Sequence, residues 1–422
     1  MDLSILPRRL SGIVDAVSAK SDVHRLLICA SLSHTPTQIR IDHLNQDILA
    51  TMDCLRQMGA RIEKTAPETG VWSVLPLWEN LNPAPLLDCR ESGSTLRFLL
   101  PVAAAVCKRP SFSGSGRLPA RPIAPLTAQM ALHGCRFSAD ALPMTLSNGL
   151  TGGIYEIPGD VSSQFISGLL FALPLLEHDS EIQLTTPLES ASYVGMTLQT
   201  LEKFGIQAEK TAGGYRVRGG QRYNAPGFVE AERDWSGAAF YLAAGAVGGA
   251  IACRGLDLSS RQPDKAILSF LQQFGANVRC ADGAVCVSPG SLTGIEIDAS
   301  DAPDIVPVLS IVACGALGNT MIRKAGRLRM KESDRLEAVA DCITALGGTV
   351  CLTDDGMVIS GRGKLTGGEV SGRNDHRIVM AAAIASILCE KPVVIRGADA
   401  VGKSYPDFFS DFTALGGSTH VI

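Results

Sequence analysis

One pattern recurs six times along the chain: an amphipathic helix, a glycine and then a strand-like stretch. The glycines are spaced 75, 71, 70, 72 and 69 residues apart, and they are Gly59, Gly134, Gly205, Gly275, Gly347 and Gly416. A glycine just after a helix is common, because it adopts the left-handed cap conformation without a Cβ clash. Helix ends alone would not recur at so constant an interval, so the pattern indicates six copies of one folding unit.

A period near 70 residues is too long for a solenoid unit and fits a βαβαββ module. Helix and strand signals alternate within each copy, which predicts an α/β fold. A second helix precedes most of the glycine-terminated helices, and it is apolar nearly all round, so we expect it to be buried. These predicted buried helices are Asp22–Ser31, Ser94–Val106, Ser163–Leu176, Ser236–Val247, Ile305–Gly315 and Asp375–Leu388. Six modules are most simply two domains of three.

Composition narrows the class of protein. Hydrophobic residues make up 46% of the 422 residues and charged residues 19%, which excludes a disordered chain. The net charge of −4 argues against a nucleic-acid-binding protein. Two uncharged runs, 235–253 and 305–322, approach a membrane span in length, but their glycines predict a buried helix followed by a strand. With twelve singly spaced cysteines and no signal-peptide pattern, we expect a cytoplasmic protein that binds no membrane.

Polar residues gather where the predicted buried helices begin. A helix start offers free N–H groups and a partial positive charge, so it favours anions. Serine, aspartate and asparagine are common there as caps, whereas Lys and Arg oppose the helix dipole unless an anion lies nearby. Lys20, Arg25 and Arg377 are therefore the informative residues. Further cations lie outside the buried helices, at Arg121, Lys331, Arg335 and Lys403. Together they predict a site for phosphate and carboxylate groups.

Two carboxylates in these segments are candidates for proton transfer. Asp304 lies just before a predicted buried helix, close to Asp298 and Asp301, and Glu332 lies inside a basic segment. Carboxylates at the spacing of these three aspartates can bind Mg²⁺ or Ca²⁺, but the sequence has no calcium loop. A single aspartate in a cationic pocket is better suited to accept a proton from a hydroxyl. Because the chain also lacks a P-loop, H-E-x-x-H and a serine nucleophile elbow, we expect no metal and no cofactor.

Several of these segments, in this order, resemble motifs of the enolpyruvyl transferase family. The motifs are ARP at Ala120–Pro122, GDVSSQF at Gly159–Phe165, KESDR at Lys331–Arg335, NDHR at Asn374–Arg377 and GKSYPD at Gly402–Asp407. Each motif is a weak signal by itself, but their joint occurrence is specific. The resemblance extends from about Gly12 to Ile422, which is essentially the whole chain.

Within the family, the sequence is more similar to the branch that acts on 3-phosphoshikimate than to the branch that acts on UDP-N-acetylglucosamine. The nucleotide-sugar branch has Lys-Asn where this chain has Lys20-Ser21, and it carries a cysteine before the ARP turn. Here no cysteine lies between Cys107 and Cys135, and Gly116 holds that place. A third hypothesis is a non-catalytic protein that captures phosphorylated metabolites, but such a protein would not need Asp304 and Glu332 together.

The resemblance implies transfer of the enolpyruvyl group of phosphoenolpyruvate to the 5-hydroxyl of 3-phosphoshikimate, with release of phosphate, through a tetrahedral intermediate. It implies that the 3-phosphoshikimate site consists of Lys20, Ser21, Arg25, Ser162, Ser163, Gln164, Ser190, Asp304 and Lys331. The implied phosphoenolpyruvate site consists of Lys20, Gly93, Arg121, Gln164, Arg335, Arg377 and Lys403. The implied catalytic groups are Asp304 for the hydroxyl proton and Glu332 for the methylene carbon, with Lys20 as its competitor.

The resemblance also implies a fold of two inside-out α/β barrel domains, each of three βαβαββ repeats, joined by a two-strand hinge. The expected first domain is discontinuous, residues 1–18 and 233–422, and the inserted second domain is 19–232. The active site is expected in the cleft between the domains, with closure driven by substrates. The implied partners are small molecules, and we expect a monomer.

A few positions depart from the family pattern. Asp22-Val23-His24 replaces a more usual aliphatic-Ser-Asn, and we expect Asp22 to be a helix cap. Ser190 lies in a looser motif than usual, and Arg327 receives no role. We also expect Lys20→Met and Arg335→Ala to lose activity while the fold survives, because each removes a site charge rather than core packing.

Overall fold

The computed structural model describes residues 1–66, 69–281 and 283–422. The α-helices in these ranges are α1 Lys20–Leu32, α2 Gln46–Met58, α3 Gly93–Val106, α4 Ala124–Leu132, α5 Ser163–Ala172, α6 Ala191–Lys203, α7 Trp235–Val247, α8 Ile267–Phe274, α9 Val306–Gly315, α10 Arg335–Ala345, α11 His376–Ala385 and α12 Phe408–Ala414. The odd-numbered helices are the buried ones, as the sequence predicts.

The strands in chain order are β1 Leu3–Leu6, β2 Gly12–Asp15, β3 Thr37–Arg40, β4 Arg61–Lys64, β5 Val71–Leu75, β6 Leu86–Asp88, β7 Ser111–Ser113, β8 Arg136–Phe137, β9 Met144–Ser147, β10 Ile154–Ile157, β11 Ser180–Leu184, β12 Ala208–Thr211, β13 Gly214–Val217, β14 Phe228–Glu230, β15 Ile251–Arg254, β16 Asn277–Ala281, β17 Ala284–Ser288, β18 Glu296–Asp298, β19 Leu317–Arg323, β20 Thr349–Leu352, β21 Met357–Arg362, β22 Gly368–Ser371, β23 Val393–Arg396 and β24 Ser418–Val421. Within the described ranges they form six four-stranded sheets.

All six sheets share one pairing pattern, in which one parallel pair is followed by two antiparallel pairs. In the sheet β14-β3-β5-β4, for example, β14 pairs with β3 in parallel, and β5 pairs antiparallel with β3 and β4. The six repeat glycines all have positive φ, between 75° and 120°. The common pairing and the common helix cap confirm that the chain contains six copies of one module.

Two compact units divide the modules equally. One unit contains Met1–Ala19 and Arg233–Ile422, and the other contains Lys20–Glu232. Each unit has three of the sheets and its own hydrophobic core. In the first unit, β1 and β2 at the start of the chain complete sheets whose other strands come after residue 250. Each unit on its own is an α/β barrel with its sheets outside the buried helices.

The two chain crossings between the units are tied down locally. Ser18 and Arg233 form an isolated antiparallel bridge, and the Asp234 N–H donates to the Val17 carbonyl at 2.8 Å. The Asp22 carboxylate accepts a hydrogen bond from the Glu232 N–H at 2.9 Å, and this tie joins the two ends of the second unit. The Asp22 carboxylate therefore bonds to Glu232 instead of capping α1, and burial raises the pKa of Asp22.

Some predicted helices end earlier than the sequence pattern indicates. α5 stops at Ala172 and continues as a 3₁₀ turn, Leu173–Leu175, because Pro174 lacks an N–H group. The two long uncharged runs each divide into a buried helix and a strand, α7 with β15 and α9 with β19. In the described parts of the chain, every helix is too short or too polar to span a bilayer.

α3 and α5 pack so closely that one position excludes a side chain. A Cβ at Gly168 would lie 2.2 Å from the Arg97 carbonyl oxygen and 3.1 Å from Pro101 Cγ. Gly168→Ala should therefore force the two helices apart and destabilise the protein by about 1–3 kcal/mol, despite the better helix propensity of alanine. Thermal or denaturant unfolding measures this. Gly213→Ala is the control, because its Cβ would meet nothing within 4 Å, and equal stabilities of the two variants would contradict the packing argument.

Candidate active site

In the second unit, Lys20 and Ser21 are the first two residues of α1. Lys20 Nζ donates to the Asp47 carboxylate on α2 at 2.9 Å, and both side chains are only partly buried. This ion pair fixes the ammonium group at the helix start. The Asp47 carboxylate thus neutralises the Lys20 ammonium group, whose charge opposes the dipole of α1. An anion that binds at this position would have to share the ammonium group with Asp47.

Arg25 is anchored at every nitrogen of its guanidinium group. Nε donates to Thr197 Oγ1 and Nη2 to the Tyr193 carbonyl, both at 2.9 Å, while Nη1 donates to the Ser21 carbonyl. The guanidinium carbon lies 5.2 Å from the centre of the Phe98 ring. Burial lowers the pKa of Arg25 to about 10, so it remains charged at neutral pH.

Gly93 and Arg121 form a second group at the start of α3. A Cβ at Gly93 would lie 2.7 Å from Arg121 Nη1 and 2.9 Å from its guanidinium carbon. Arg121 follows the 3₁₀ turn Leu118–Ala120 and is 8% exposed. The absence of a side chain at residue 93 therefore allows a guanidinium group to lie against the first turn of a buried helix.

The start of α5 is held by Arg97 from α3. Arg97 Nη1 donates to Gln164 Oε1 at 2.8 Å, and Gln164 Nε2 donates to Ser94 Oγ at 2.8 Å. Ser162 caps the helix by accepting from the Gln164 N–H at 3.3 Å. These bonds fix the orientation of the Gln164 amide, because its oxygen faces Arg97 and its nitrogen faces Ser94, both on α3. Arg97 was not among the predicted site residues, although it belongs to the segment that begins at Gly93.

Ser190 precedes α6 and adopts a left-handed backbone with φ of 52°. This conformation is uncommon for a residue with a Cβ and is often found at functional sites. Ser190 is 3% exposed. The backbone therefore supports a special role for a residue whose sequence motif is atypical.

In the first unit, Arg335 binds three carboxylates. Its nitrogens contact Asp304 at 2.8 Å, Glu332 at 2.5 Å and Asp375 at 2.8 Å. The Arg335 side chain is 1% exposed and Asp375 is fully buried. Burial would lower the pKa of Arg335, but the three carboxylates outweigh it and raise the pKa. This residue is therefore a permanent cation at the centre of the group.

Asp304 is surrounded by three cations. Besides Arg335, it contacts Lys331 Nζ at 3.3 Å and Arg377 Nη2 at 3.3 Å, and its carbonyl accepts from Arg377 Nη1 at 3.0 Å. Burial would raise the pKa of Asp304, but Arg377, Lys331 and Arg335 hold it well below the usual value. Asp304 is therefore ionised at neutral pH.

Asp375 and Lys403 complete this group. Asp375 is the N-cap of α11, where it accepts from the Arg377 N–H at 3.0 Å, and it also accepts from Ser333 Oγ at 2.9 Å. Lys403 Nζ donates to the Asn374 carbonyl at 2.7 Å, so it is linked to the turn before α11. The structure thus brings Asp304, Lys331, Glu332, Arg335 and Arg377 into direct contact and attaches Lys403 through that turn.

The site residues at the helix starts of the second unit and those around Arg335 in the first unit have the same chemical character. Both offer guanidinium and ammonium groups at helix starts, and they suit phosphate and carboxylate groups. Among the described residues, no three His, Cys, Asp or Glu side chains are arranged to hold a metal ion. All twelve cysteines belong to the described ranges, and each is a free thiol.

Comparisons with known proteins agree with this character. The family model described as EPSP synthase (3-phosphoshikimate 1-carboxyvinyltransferase) matches residues 6–412. The chain belongs to the EPSP synthase family. A 3-phosphoshikimate 1-carboxyvinyltransferase from Clostridium kluyveri is 41% identical over 420 residues, covering 98% of this chain and 97% of the relative. One from Clostridium perfringens is 41% identical over 419 residues, covering 98% of each.

Solved structures give the same fold. An EPSP synthase from Acinetobacter baumannii superposes with a TM-score of 0.82 at 25% identity, and 100% of both chains is covered. An enolpyruvyl transferase from Streptomyces tendae has a TM-score of 0.80 at 18% identity, covering 99% of this chain and 98% of the other, which shows a common fold. The fold class inferred from the resemblance is confirmed.

Sequence reasoning missed three carboxylates that interact with the predicted site residues. Asp47 pairs with Lys20, Asp375 pairs with Arg335, and Asp264 interacts with the charges of Asp304 and Arg377. Asp375 lies inside the NDHR motif, so its motif was a usable signal, whereas Asp47 has no comparable signal. Arg327, which received no role, donates from Nη2 to the Ser300 carbonyl at 2.6 Å, and so holds the segment before Asp304.

The structure changes the expectation that the fold survives the substitution Arg335→Ala. Arg335→Ala should lower stability by about 3 kcal/mol or more, because it leaves buried Asp375 without its cation. Lys20→Met should lower stability by less than Arg335→Ala, because the side chains of the pair with Asp47 are 17% and 11% exposed, whereas Asp375 is fully buried. Thermal unfolding of both variants tests this contrast, and similar midpoints for the two would contradict it.

Asp264, in the 3₁₀ turn Pro263–Ala266, gives a pH-dependent prediction. Burial and the charge of Asp304 raise the pKa of Asp264 to about 6. The folded state then binds a proton that the unfolded state has lost, so this group contributes stability that decreases as the pH rises from about 4 to 6. Asp264→Asn should remove that dependence. The free energy of unfolding of Asp264→Asn minus that of wild type should be about 1 kcal/mol larger at pH 8 than at pH 5. Denaturant unfolding measures this difference, and an equal difference at the two pH values would refute the raised pKa.

Proposed function

We propose that this protein transfers the enolpyruvyl group of phosphoenolpyruvate to the 5-hydroxyl of 3-phosphoshikimate and releases phosphate, as a step of the shikimate pathway. Membership of the EPSP synthase family over nearly the whole chain supports this. The geometry adds a physical reason. The two substrates together carry two phosphates and two carboxylates, and such anions repel one another unless cations neutralise them at close range.

The observation that carries the proposal is the arrangement around Arg335. One buried guanidinium holds Asp304 at 2.8 Å and Glu332 at 2.5 Å. The reaction moves two protons, one from the attacking hydroxyl and one to and from the methylene carbon. A pair of carboxylates fixed on one cation supplies two proton-transfer groups at a constant separation.

In this proposal, the second unit binds mainly 3-phosphoshikimate. Ser162, Ser163 and Ser190 bind its phosphate, while Ser21 and Arg25 contact the rest of the molecule. Lys20 and Ser21, the only residues of α1 that are not buried, provide a cationic donor and a hydroxyl donor. The starts of α5 and α6 add further hydroxyl donors, and phosphate and hydroxyl groups accept hydrogen bonds from donors of both types. Gln164 contacts both substrates, and Arg97 orients its amide group.

Phosphoenolpyruvate is proposed to bind residues from both units. The cations are Lys20, Arg121, Arg335, Arg377 and Lys403, and the uncharged residues are Gly93 and Gln164. The domain boundaries proposed from the sequence, 1–18 with 233–422 and 19–232, imply a shared active site in the cleft and closure on binding. The alternating charges of this group favour fixed electrostatic stabilisation of the tetrahedral intermediate. We further propose a cytoplasmic monomer.

Asp304 is proposed to accept the proton of the 5-hydroxyl. Without substrate it is a weak base, because Arg377, Lys331 and Arg335 hold its pKa well below the usual value. An incoming phosphate and carboxylate share the charge of those cations, and the pKa of Asp304 then rises towards a useful value. Glu332 is proposed to manage the proton at the methylene carbon, with Lys20 as the competing candidate. Lys331 contacts the 3-phosphoshikimate side.

The test is release of phosphate from phosphoenolpyruvate, with 3-phosphoshikimate present or absent. Release that depends on 3-phosphoshikimate is expected. Release with UDP-N-acetylglucosamine instead would identify the nucleotide-sugar reaction, and binding of both ligands without any release would identify a non-catalytic protein.

Asp304→Asn should lower kcat by at least about 100-fold, the scale of a lost general base. Asp298→Asn is its control, since that exposed carboxylate pairs with Lys324 at the surface, and it should retain normal activity.

A further inference from the structure

A chain of buried side-chain hydrogen bonds crosses three helices of the second unit. His24 Nδ1 on α1 lies 2.7 Å from Thr51 Oγ1 on α2, and Thr51 Oγ1 lies 2.7 Å from Thr95 Oγ1 on α3. Thr95 Oγ1 then donates to Ser92 Oγ at 2.8 Å. All four residues are 1% exposed or less. The chain therefore joins the starts of α1 and α3 without contact with solvent.

The direction of these bonds follows from counting hydrogens. A threonine hydroxyl has one hydrogen to donate. Thr95 gives its hydrogen to Ser92, so Thr51 must be the donor to Thr95. The hydrogen of Thr51 is then used, and His24 must donate from Nδ1. The hydrogen-bond chain consequently runs in one direction, His24 to Thr51 to Thr95 to Ser92, and it selects the Nδ1–H tautomer of His24.

The environment of His24 fits a neutral donor. Burial, helped by the charges of Lys20 and Arg25, holds the pKa of His24 well below its usual value. Its other ring nitrogen, Nε2, is buried and has no hydrogen-bond partner among the described residues. A bare nitrogen lone pair at Nε2 is what the Nδ1–H tautomer requires.

The hydrogen-bond chain ends at Ser92, next to the proposed phosphoenolpyruvate site. Ser92 is the N-cap of α3 and accepts from the Thr95 N–H at 3.2 Å. The next residue is Gly93, against which the Arg121 guanidinium lies. Thr95 Oγ1 also lies 3.4 Å from the carbonyl of Asp47, whose carboxylate holds Lys20. The hydrogen-bond chain thus ends beside Gly93, and its Thr95 hydroxyl also packs against the backbone of the residue that holds Lys20.

We propose that His24 is a positioning residue, which through Thr51 and Thr95 fixes the cap of α3 and so places Gly93 and Arg121 for phosphoenolpyruvate. This inference rests on the proposed function and adds to it a residue that touches neither substrate. Without the donor at His24, the two threonine hydroxyls can reverse direction, and Ser92 loses a fixed partner. The phosphoenolpyruvate subsite would then sample several positions.

The first test compares His24→Leu with His24→Asn. Leucine has a similar volume and no donor, while the Asn side-chain nitrogen can replace Nδ1. We expect His24→Leu to raise KM for phosphoenolpyruvate about tenfold, equivalent to about 1.4 kcal/mol, and to change KM for 3-phosphoshikimate less than about twofold. His24→Asn should restore KM for phosphoenolpyruvate to within about threefold of wild type. An equal rise in both KM values, or no rescue by Asn, would overturn the proposal.

A second pair of variants protects the test against a folding defect at residue 24. Thr51→Val removes the middle hydroxyl and Thr51→Ser retains it, so only the valine variant should raise KM for phosphoenolpyruvate. The double variant His24→Leu/Thr51→Val should be no worse than either single variant, because the chain acts as a unit. Thr200→Val is the matched control: its buried hydroxyl donates to the Met196 carbonyl on α6, outside the chain, and it should leave both KM values unchanged.

These outcomes separate the two proposals. If wild type shows no 3-phosphoshikimate-dependent phosphate release, the proposed function fails whatever the variants do. If wild type is active and Thr51→Val matches Thr200→Val in both KM values, the reaction stands and the positioning role of His24 is wrong.

Discussion

Each unit buries helices whose first N–H groups need hydrogen-bond acceptors, and this requirement shapes the polar residues at the helix starts of each unit. In the second unit the caps of α3 and α5 are neutral, Ser92 and Ser162. In the first unit the caps of α7 and α11 are carboxylates, Asp234 and Asp375. A neutral cap satisfies an N–H group but leaves the positive end of the helix available to an anion. A carboxylate cap cancels part of that charge and can hold a cation as well.

Asp375 shows how a structural requirement becomes part of the chemistry. It caps α11 and also binds Arg335, so the helix start and the buried cation depend on one carboxylate. With Lys331, Arg335 and Arg377 facing Asp304, Glu332 and Asp375, three cations meet three carboxylates. The formal charges of these six side chains sum to zero. In the proposed reaction, an anionic substrate therefore competes with Asp304 and Glu332 for the cations, and this competition raises the pKa values of the two carboxylates only when the substrate is present.

The sequence predicted the fold better than the connections inside the site. The glycine interval predicted six modules because helix caps are local, and the motifs identified the residues that contact one another around Arg335. The contacts that orient them join distant positions, such as Arg97 with Gln164 or Asp22 with Glu232, 67 and 210 residues apart. Nothing local marks such pairs. His24 stood out only as a departure from a family pattern, and its partner Thr51 is an ordinary residue in an amphipathic helix.

The turn before α11 has a strained backbone, and this strain is also linked to the charged residues around Arg335. Arg373 and Asn374 both have positive φ, 50° and 52°, a conformation that costs about 1 kcal/mol or more for a residue with a Cβ. The turn they form directs the Asn374 carbonyl to Lys403 Nζ and places Asp375 as the cap. Glycines would relieve the strain, but they would also give the unfolded chain more freedom and the turn less rigidity. Arg373 in addition bonds Asp341 on α10, which ties the strained turn to a neighbouring helix. The surrounding contacts therefore stabilise an unfavourable turn because it holds Lys403 and Arg335 at the same helix start.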